Sequence, residues 1–176
     1  MKNPEEIFEI LKKEFPEYIF SIDSKTPTEP IITVDPVQIQ KVSLFIRDNE
    51  ELLFDSLMNL SGVDDANGEK TKDEAGTVII KGGTLSVYYH LYSTKLNHKI
   101  TLKVSTGREG PKVESVEFVW RAADWHEREA FDLLGIVFLN HHNLIRILMP
   151  YDWEAGHPLR KDYKNPEFYQ GMKIPY

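Results

Sequence analysis

The chain has 176 residues, of which 28% are charged and 41% hydrophobic, values typical of one soluble globular domain with a sizeable core. A formal net charge of −7 with scattered lysines argues against nucleic acid as a partner. The absence of cysteine excludes disulfides and cysteine-ligated zinc or iron–sulfur clusters in this chain. No apolar run approaches the roughly 20 residues of a membrane span, so we expect membrane association only through a partner.

Two helices and two short strands are predicted for the N-terminal part. Asn3 and Pro4 form a helix start, because proline lacks the N–H that the first helical turn leaves unpaired. The acidic, amphipathic start is unlike a secretory signal. Asp35 and Pro36 repeat the helix-start pattern. The predicted elements are a helix that ends before Pro16, strands at 18–22 and 31–34, a helix from 36 to about 49, and an apolar stretch at 52–60 that fits either helix or strand.

The central region predicts a loop followed by a hairpin. Residues 64–83 are polar and contain several glycines, which indicates a mobile loop with a short strand at 78–80. Hydrophobic and polar residues then alternate over 85–91 and again over 100–104. This period of two predicts two strands joined by a turn at 95–98.

The C-terminal part predicts a third helix from Trp120 to Leu134, with Gly135 at the position of a left-handed cap residue. Strands are predicted at 136–139 and 145–148. We expect residues 1–150 to form one α+β domain, with a mixed or antiparallel sheet packed by a few helices. Residues 151–176 contain six aromatic residues and several prolines, and predict an extended arm that folds over its own domain or lies across a neighbouring protein.

The third predicted helix carries charge on two faces. Glu127 falls in the middle of an apolar stripe, so it needs a partner, and Arg146 is an intrachain candidate. Asp124, Arg128 and Asp132 follow one another at a spacing of one turn, which predicts an acid–base–acid ladder. Such a ladder is either a solvated face or a docking network.

A catalytic interpretation also remains open. His126 and Glu127 resemble the start of the zinc-protease pattern HExxH, but position 130 is alanine. His141 and His142 are adjacent and are expected to point to different sides of a strand. A stand-alone metallohydrolase using Glu127, Asp132 and His141 is the alternative from another functional class.

The ordered string of motifs from residue 124 to 163 resembles the signature of a known family. That family is the 30 kDa subunit, or C subunit, of the proton-translocating NADH:quinone oxidoreductase, respiratory complex I. Two departures are His142, where the family usually has proline, and a long polar loop at 64–83. The matching motifs are Asp124-Trp125, Glu127-Arg128-Glu129, Phe131-Asp132, Leu134-Gly135-Ile136, Phe138, His141, Leu144, Arg146-Ile147-Leu148, Asp152-Trp153-Glu154 and 156–163.

The resemblance implies a structural subunit without redox chemistry of its own. Its partners would be other subunits of complex I, chiefly the large quinone-site subunit (the D subunit) and small iron–sulfur subunits, in the peripheral arm on the cytoplasmic side of the cell inner membrane. Electrons would pass from NADH through FMN and iron–sulfur centres to quinone in those partners. The chain would be part of a translocase without being catalytic alone, and we expect no catalytic, cofactor-binding or metal-binding residue in it.

The residues that the resemblance marks as signature and interface positions lie in the third helix and after it. The nearest alternative is the equivalent scaffold subunit of a membrane-bound hydrogenase or related dehydrogenase, which shares this domain. The expected interface residues are Asp124, Glu127, Arg128, Glu129, Asp132, Gly135, His141, Arg146, Trp153, His157, Pro158 and Arg160.

Overall fold

The structure is a computed structural model that describes residues 1–24, 29–72 and 78–174. Within these ranges no helix combines the length and the apolar character needed to cross a bilayer. The elements in chain order are α1 (Pro4–Glu14), β1 (Ile19–Asp23), β2 (Ile31–Val34), α2 (Ile39–Asp48), β3 (Ser56–Asp64), β4 (Glu69–Lys72), β5 (Val78–Lys81), β6 (Thr84–Ser93), β7 (His98–Gly107), β8 (Lys112–Glu114), α3 (Ala123–Leu134), β9 (Val137–Leu139), β10 (Phe168–Tyr169) and β11 (Met172–Lys173).

A five-stranded mixed sheet with the order β1-β2-β7-β6-β3 organises the chain. β2 and β7 run parallel, while the other neighbours are antiparallel. The hairpin of β6 and β7 is paired without interruption from Thr84 opposite Gly107 to Ser93 opposite His98. The α+β class predicted from the sequence is therefore confirmed.

One face of the sheet carries the core. Leu85, Val87 and Leu91 alternate along β6 and are fully buried in one cluster with residues of all three helices. The intervening Tyr88 and Tyr92 lie on the other face and are only partly buried. This alternation is expected for a strand with a core on one side, because successive side chains point to opposite faces.

Helix α3 packs closely on the edge strand β3. A Cβ on Gly62 would lie 2.6 Å from Leu134 Cδ1 and 3.1 Å from Ala130 Cβ, so only glycine allows the helix to approach this strand. β1 forms the opposite edge of the sheet. The charged helix is thus fixed at one side of the domain.

Helices α2 and α3 begin later than predicted. α2 starts at Ile39, because Asp35 instead caps a turn in which its Oδ1 accepts from Val37 N at 2.8 Å. α3 starts at Ala123, because Trp120 belongs to a preceding turn and donates its indole N–H to Phe54 O at 2.9 Å.

The predictions for the apolar stretches around the helices are confirmed only in part. The ambiguous residues 52–60 enter strand β3 at Ser56, and the predicted strand at 136–139 is β9, which pairs in parallel with β8. The predicted strand at 145–148 is wrong. The backbone N–H groups of Ile147 and Leu148 donate to the carboxylate of Asp132, so they are not available to a strand ladder.

The polar segment 64–83 contains more structure than a loop. β4 and β5 form an antiparallel pair within it, and the strand predicted at 78–80 lies inside β5. Residues 73–77 lie outside the described residues. The mobility of this segment stays a prediction.

The first part of the predicted arm folds back over its own domain. Leu159 N donates to Leu133 O at 3.0 Å, Arg160 Nε donates to Leu134 O at 2.7 Å, and Lys161 N donates to Asp64 Oδ2 at 2.8 Å. Beyond this anchor, β10 and β11 form a short hairpin, and the rings of Tyr169 and Trp153 lie 5.6 Å apart.

A buried ion cluster anchors this segment. Arg108 is 4% exposed, and its Nη1 lies 2.5 Å from Asp64 Oδ2, while Nη2 binds the carboxylate of Asp162. Ile80 N donates to the other oxygen of Asp162 at 3.3 Å. Burial alone would raise the pKa of Asp64, but Arg108 and backbone N–H groups hold it below the ordinary value. Arg108 therefore joins the sheet, the β4–β5 pair and the arm.

We expect Arg108→Met to lower the free energy of unfolding by about 3–5 kcal/mol, because it leaves two carboxylates without their counter-charge. Urea unfolding measures the loss, and amide hydrogen exchange should show residues 157–162 released. The matched control is Arg121→Met at an exposed position. Equal losses in the two variants would contradict the anchor.

Candidate interaction site around helix α3

Glu127 is buried inside the domain and is satisfied there. Its Oε2 accepts from Ser115 Oγ at 2.6 Å and its Oε1 from Val116 N at 2.7 Å. Burial raises the pKa of Glu127 to about 8, although these two hydrogen bonds act in the opposite direction. The suggestion that Arg146 pairs with Glu127 is therefore wrong, because Arg146 binds Asp132.

Asp132 is fully buried and organises the loop that follows β9. Its Oδ2 accepts from the backbone N–H groups of Ile147, Leu148 and Met149 at 3.1, 2.8 and 2.9 Å. Its Oδ1 accepts from Arg146 Nη1 at 2.9 Å. Burial would raise the pKa of Asp132, but these donors outweigh it and hold the pKa below the ordinary value.

Arg128 does not form the predicted ladder. Among the described residues, neither Asp124 nor Asp132 lies within 4 Å of its guanidinium as an ion pair. Arg128 instead covers Trp125, with Cζ 4.7 Å from the ring centroid, and its Nε donates to Ile145 O at 3.4 Å. The residues have the predicted helical spacing, but His141 lies beside Asp124 and Arg146 binds Asp132.

Two histidines and two acids meet at the start of α3. His141 Nε2 lies 3.4 Å from Asp124 Oδ1 and 3.6 Å from Glu117 Oε2, and His142 Nδ1 lies 2.5 Å from Glu117 Oε2. The imidazole rings stack with centroids 5.3 Å apart and planes 8° apart. The histidines were expected to diverge, but β9 has ended and Asn140 has φ +64°, so strand alternation no longer applies.

The three residues of the metallohydrolase alternative do not converge. Glu127 Oε2 comes within 3.9 Å of His141 Nε2. The carboxylate of Asp132 faces the loop amides and Arg146 instead. The structure therefore offers no support for that catalytic group.

Gly135 and His157 depend on each other. Gly135 has φ +76°, as predicted for a left-handed cap, and a Cβ there would overlap the imidazole ring of His157. His157 Nδ1 lies 3.0 Å from Asp132 O, and burial lowers the pKa of His157. Pro158 and Arg160 continue the same segment along the end of α3.

The remaining predicted residues are spread over the surface. Glu129 is exposed and lines a shallow cavity together with His126 and Leu159. Trp153 belongs to the arm and lies against Tyr169. Sequence reasoning missed Arg108, Ser115 and Glu117, because none stands in a motif and each acquires its role only from partners distant in the chain.

An exposed apolar surface runs beside α3. We call it the α3 ridge and define it by Trp125, Arg128, Ile145 and Leu148. Trp125, Ile145 and Leu148 are 62%, 52% and 58% exposed, and Arg128 lies between Trp125 and Ile145. Large apolar and aromatic side chains that stay exposed in one region are typical of interaction surfaces.

Comparison with known proteins places the chain in a family. Residues 32–169 match the family model described as the respiratory-chain NADH dehydrogenase, 30 Kd subunit. The chain belongs to this family. The C subunit of the NADH-quinone oxidoreductase of Chloroherpeton thalassium is 40% identical to the chain, over 96% of the chain and 64% of the relative. The chain thus spans less than two thirds of that relative.

Other relatives agree in sequence and fold. The C subunit of the NADH-quinone oxidoreductase of Chlorobium phaeobacteroides is 38% identical over 96% of the chain and 93% of the relative. A trypsin-resistant fragment of Nqo5 shares the fold with a TM-score of 0.58 and 21% identity over 80% of the chain and 98% of the fragment. A chain of an archaeal membrane-bound sulfane sulfur reductase shares it with a TM-score of 0.50 and 18% identity, over 91% of this chain and 85% of that one.

Gly135→Ala is expected to destabilise the domain by about 2 kcal/mol or more, because it adds a steric overlap with His157 to the cost of a positive φ. Gly110→Ala is the matched control, since Gly110 has φ +70° but open space around it. The control should cost about 1 kcal/mol. Thermal or urea unfolding gives both values, and equal costs would contradict the contact.

Asp132→Asn is expected to lower the free energy of unfolding by about 2–3 kcal/mol at neutral pH, since the backbone donors lose a charged acceptor. Because the pKa of Asp132 is lowered in the folded state, the advantage of the native chain is complete above about pH 4 and shrinks as the pH falls further. Denaturation at several pH values measures it. The exposed control Glu129→Gln should stay within about 0.5 kcal/mol, and a difference independent of pH would contradict the assignment.

Proposed function

We propose that this chain is a structural subunit without redox chemistry in the peripheral arm of a proton-translocating NADH:quinone oxidoreductase. It docks on the large quinone-site subunit, beside small iron–sulfur subunits. Electron transfer from NADH through FMN and iron–sulfur centres to quinone occurs in those partners. The single observation that carries the proposal is the α3 ridge, in which Trp125, Arg128 and Leu148 belong to the family motifs.

The composition of the ridge suits protein docking. Tryptophan and arginine dominate the residues that contribute most to protein interfaces. Trp125 is more than half exposed although it is a large aromatic residue, and Arg128 is stacked over it. A partner that covers the pair gains apolar burial without first having to order the arginine side chain.

The ridge is also rigid. Arg128 binds the loop at the backbone oxygen of Ile145. Asp132 accepts hydrogen bonds from the backbone N–H groups of residues 147–149. Asp132 is itself buried at the base of α3. Fixing the backbone before association lowers the entropic cost of binding, so the signature residues act by shaping the surface.

The composition of the chain agrees with a structural role. With no cysteine, its 176 residues supply no thiolate ligand for an iron–sulfur cluster. The proposed location is peripheral, on the cytoplasmic side of the cell inner membrane, with membrane association through the complex. Phe168 on the β10–β11 hairpin is 57% exposed, and Tyr151 is 94% exposed, which suits a second contact with a partner.

The test is purification of the intact complex from native membranes that carry Trp125→Ala together with Arg128→Glu. We expect loss of the neighbouring subunits from the purified material, with NADH:quinone turnover falling in proportion to the assembled fraction. The matched control is Phe20→Ala, which removes a 55% exposed aromatic residue from β1 at the opposite edge of the sheet. The control complex should assemble normally.

Two results would overturn the proposal. A fully assembled complex that has lost turnover would point to direct catalysis, and an unchanged complex would exclude the ridge as the docking surface. The identity of the proteins that copurify also distinguishes this proposal from the alternative of a hydrogenase-type complex. An NADH-binding flavoprotein supports the proposal, whereas a large partner protein that binds nickel assigns the chain to a hydrogenase-type complex.

A further inference from the structure

The cluster of Glu117, Asp124, His141 and His142 contains buried negative charge without a fixed counter-charge. The side chain of Glu117 is 1% exposed and that of Asp124 is 17% exposed. Within the described part of the chain, their only ionic partners within 4 Å are the two histidines. Burying carboxylates is costly unless a cation or several donors compensate them.

One acceptor in the cluster is left over. Asp124 Oδ1 is buried and, among the described residues, has no hydrogen-bond donor. It points towards His141 Nε2, 3.4 Å away. Buried oxygens in folded proteins are almost always paired, so this atom has the capacity to bind a cation placed between it and His141.

We propose that Glu117, Asp124, His141 and His142 bind one divalent transition-metal ion of the zinc type. The four residues offer ligand atoms that all lie within 4.8 Å of one another. Two imidazoles and two carboxylates are a ligand set that suits zinc and its neighbours better than calcium or magnesium. The site lies beside the α3 ridge but shares no residue with it.

Two of the distances between ligand atoms are close to those of tetrahedral coordination. Bonds of about 2.0–2.1 Å place tetrahedral ligands about 3.3–3.4 Å apart. His141 Nε2 lies 3.4 Å from Asp124 Oδ1 and 3.6 Å from Glu117 Oε2. His142 Nδ1 lies closer, 2.5 Å from Glu117 Oε2, and this side chain is 47% exposed, so it can move outward as an ion enters.

The surroundings orient the ligands. Glu117 Oε1 accepts from His142 N at 2.7 Å, which holds the carboxylate with Oε2 towards the two histidines. Asn143 N donates to His141 Nδ1 at 3.1 Å, so Nε2 carries the proton of the neutral ring in this arrangement. An ion on Nε2 requires the tautomer with the proton on Nδ1, so binding replaces the hydrogen bond from Asn143 N with one to water at this exposed residue.

The expected consequence is a cross-link. Asp124 lies in the first turn of α3, Glu117 in the turn before it, and both histidines in the loop after β9. An ion would join the helix to the loop that carries the exposed Ile145. This differs from the sequence-based expectation of no metal ligand in the chain, because adjacent histidines gave no sign that they would face the same acids.

The test uses the 176-residue chain prepared without a polyhistidine tag and freed of metal by dialysis against a chelator. Zn²⁺ is titrated into it near neutral pH in a calorimeter, and thermal unfolding is recorded with and without Zn²⁺. We expect one ion per chain and a higher melting temperature in its presence. His142→Ala and Asp124→Asn should each weaken binding by at least about tenfold and remove the thermal shift.

His126→Ala is the matched control, because His126 lies on the same helix but outside the cluster. It should bind Zn²⁺ as the native chain does. The proposal is overturned if no saturable binding of one ion per chain is found, if either ligand variant keeps the native affinity, or if the control weakens binding as much as the ligand variants do. Thermal unfolding without Zn²⁺ shows whether each variant is folded.

Discussion

A single buried carboxylate, that of Asp132, holds the interaction region in shape. The loop after β9 pairs with no strand of the described residues, and three consecutive N–H groups at 147–149 bind this side chain instead. The ionised group is stable in the interior because backbone dipoles and Arg146 together replace its water. Without this anchor three loop N–H groups would lose their acceptor, and the apolar side chains that follow Ile145 would be less firmly held.

Buried polar side chains also fix connecting segments elsewhere along the helix and in the arm. Glu127 closes the turn at Ser115 and Val116, and Arg108 fixes Asp64 and Asp162 beneath the returning arm. Each buried polar side chain binds segments that are distant in sequence. Polar groups inside the domain therefore determine how its connecting segments run, while the sheet and helices supply the apolar core.

This arrangement explains how a chain can carry a strong family signature with few of its charges at the surface. Glu127 and Asp132 are fully buried and act within the domain, whereas the neighbouring surface, where Arg128 lies over Trp125, is largely apolar and aromatic. The charged helix that suggests an enzyme or a salt-bridge ladder in the sequence is the internal support of an interaction surface. Signature residues of a scaffold protein need not touch its partner.

The sequence by itself determined the α+β class, the long hairpin, the left-handed cap at Gly135 and the family, because alternation, turn residues and ordered motifs are local properties. It also identified Glu127 as a charge that needs a partner. Only the tertiary structure decided that the partner is Ser115 and not Arg146, and that Asp132 binds a loop instead of Arg128. Helical spacing shows which side chains can meet on one helix. A buried carboxylate, however, must be satisfied by hydrogen-bond donors, and the rest of the fold determines which donors reach it.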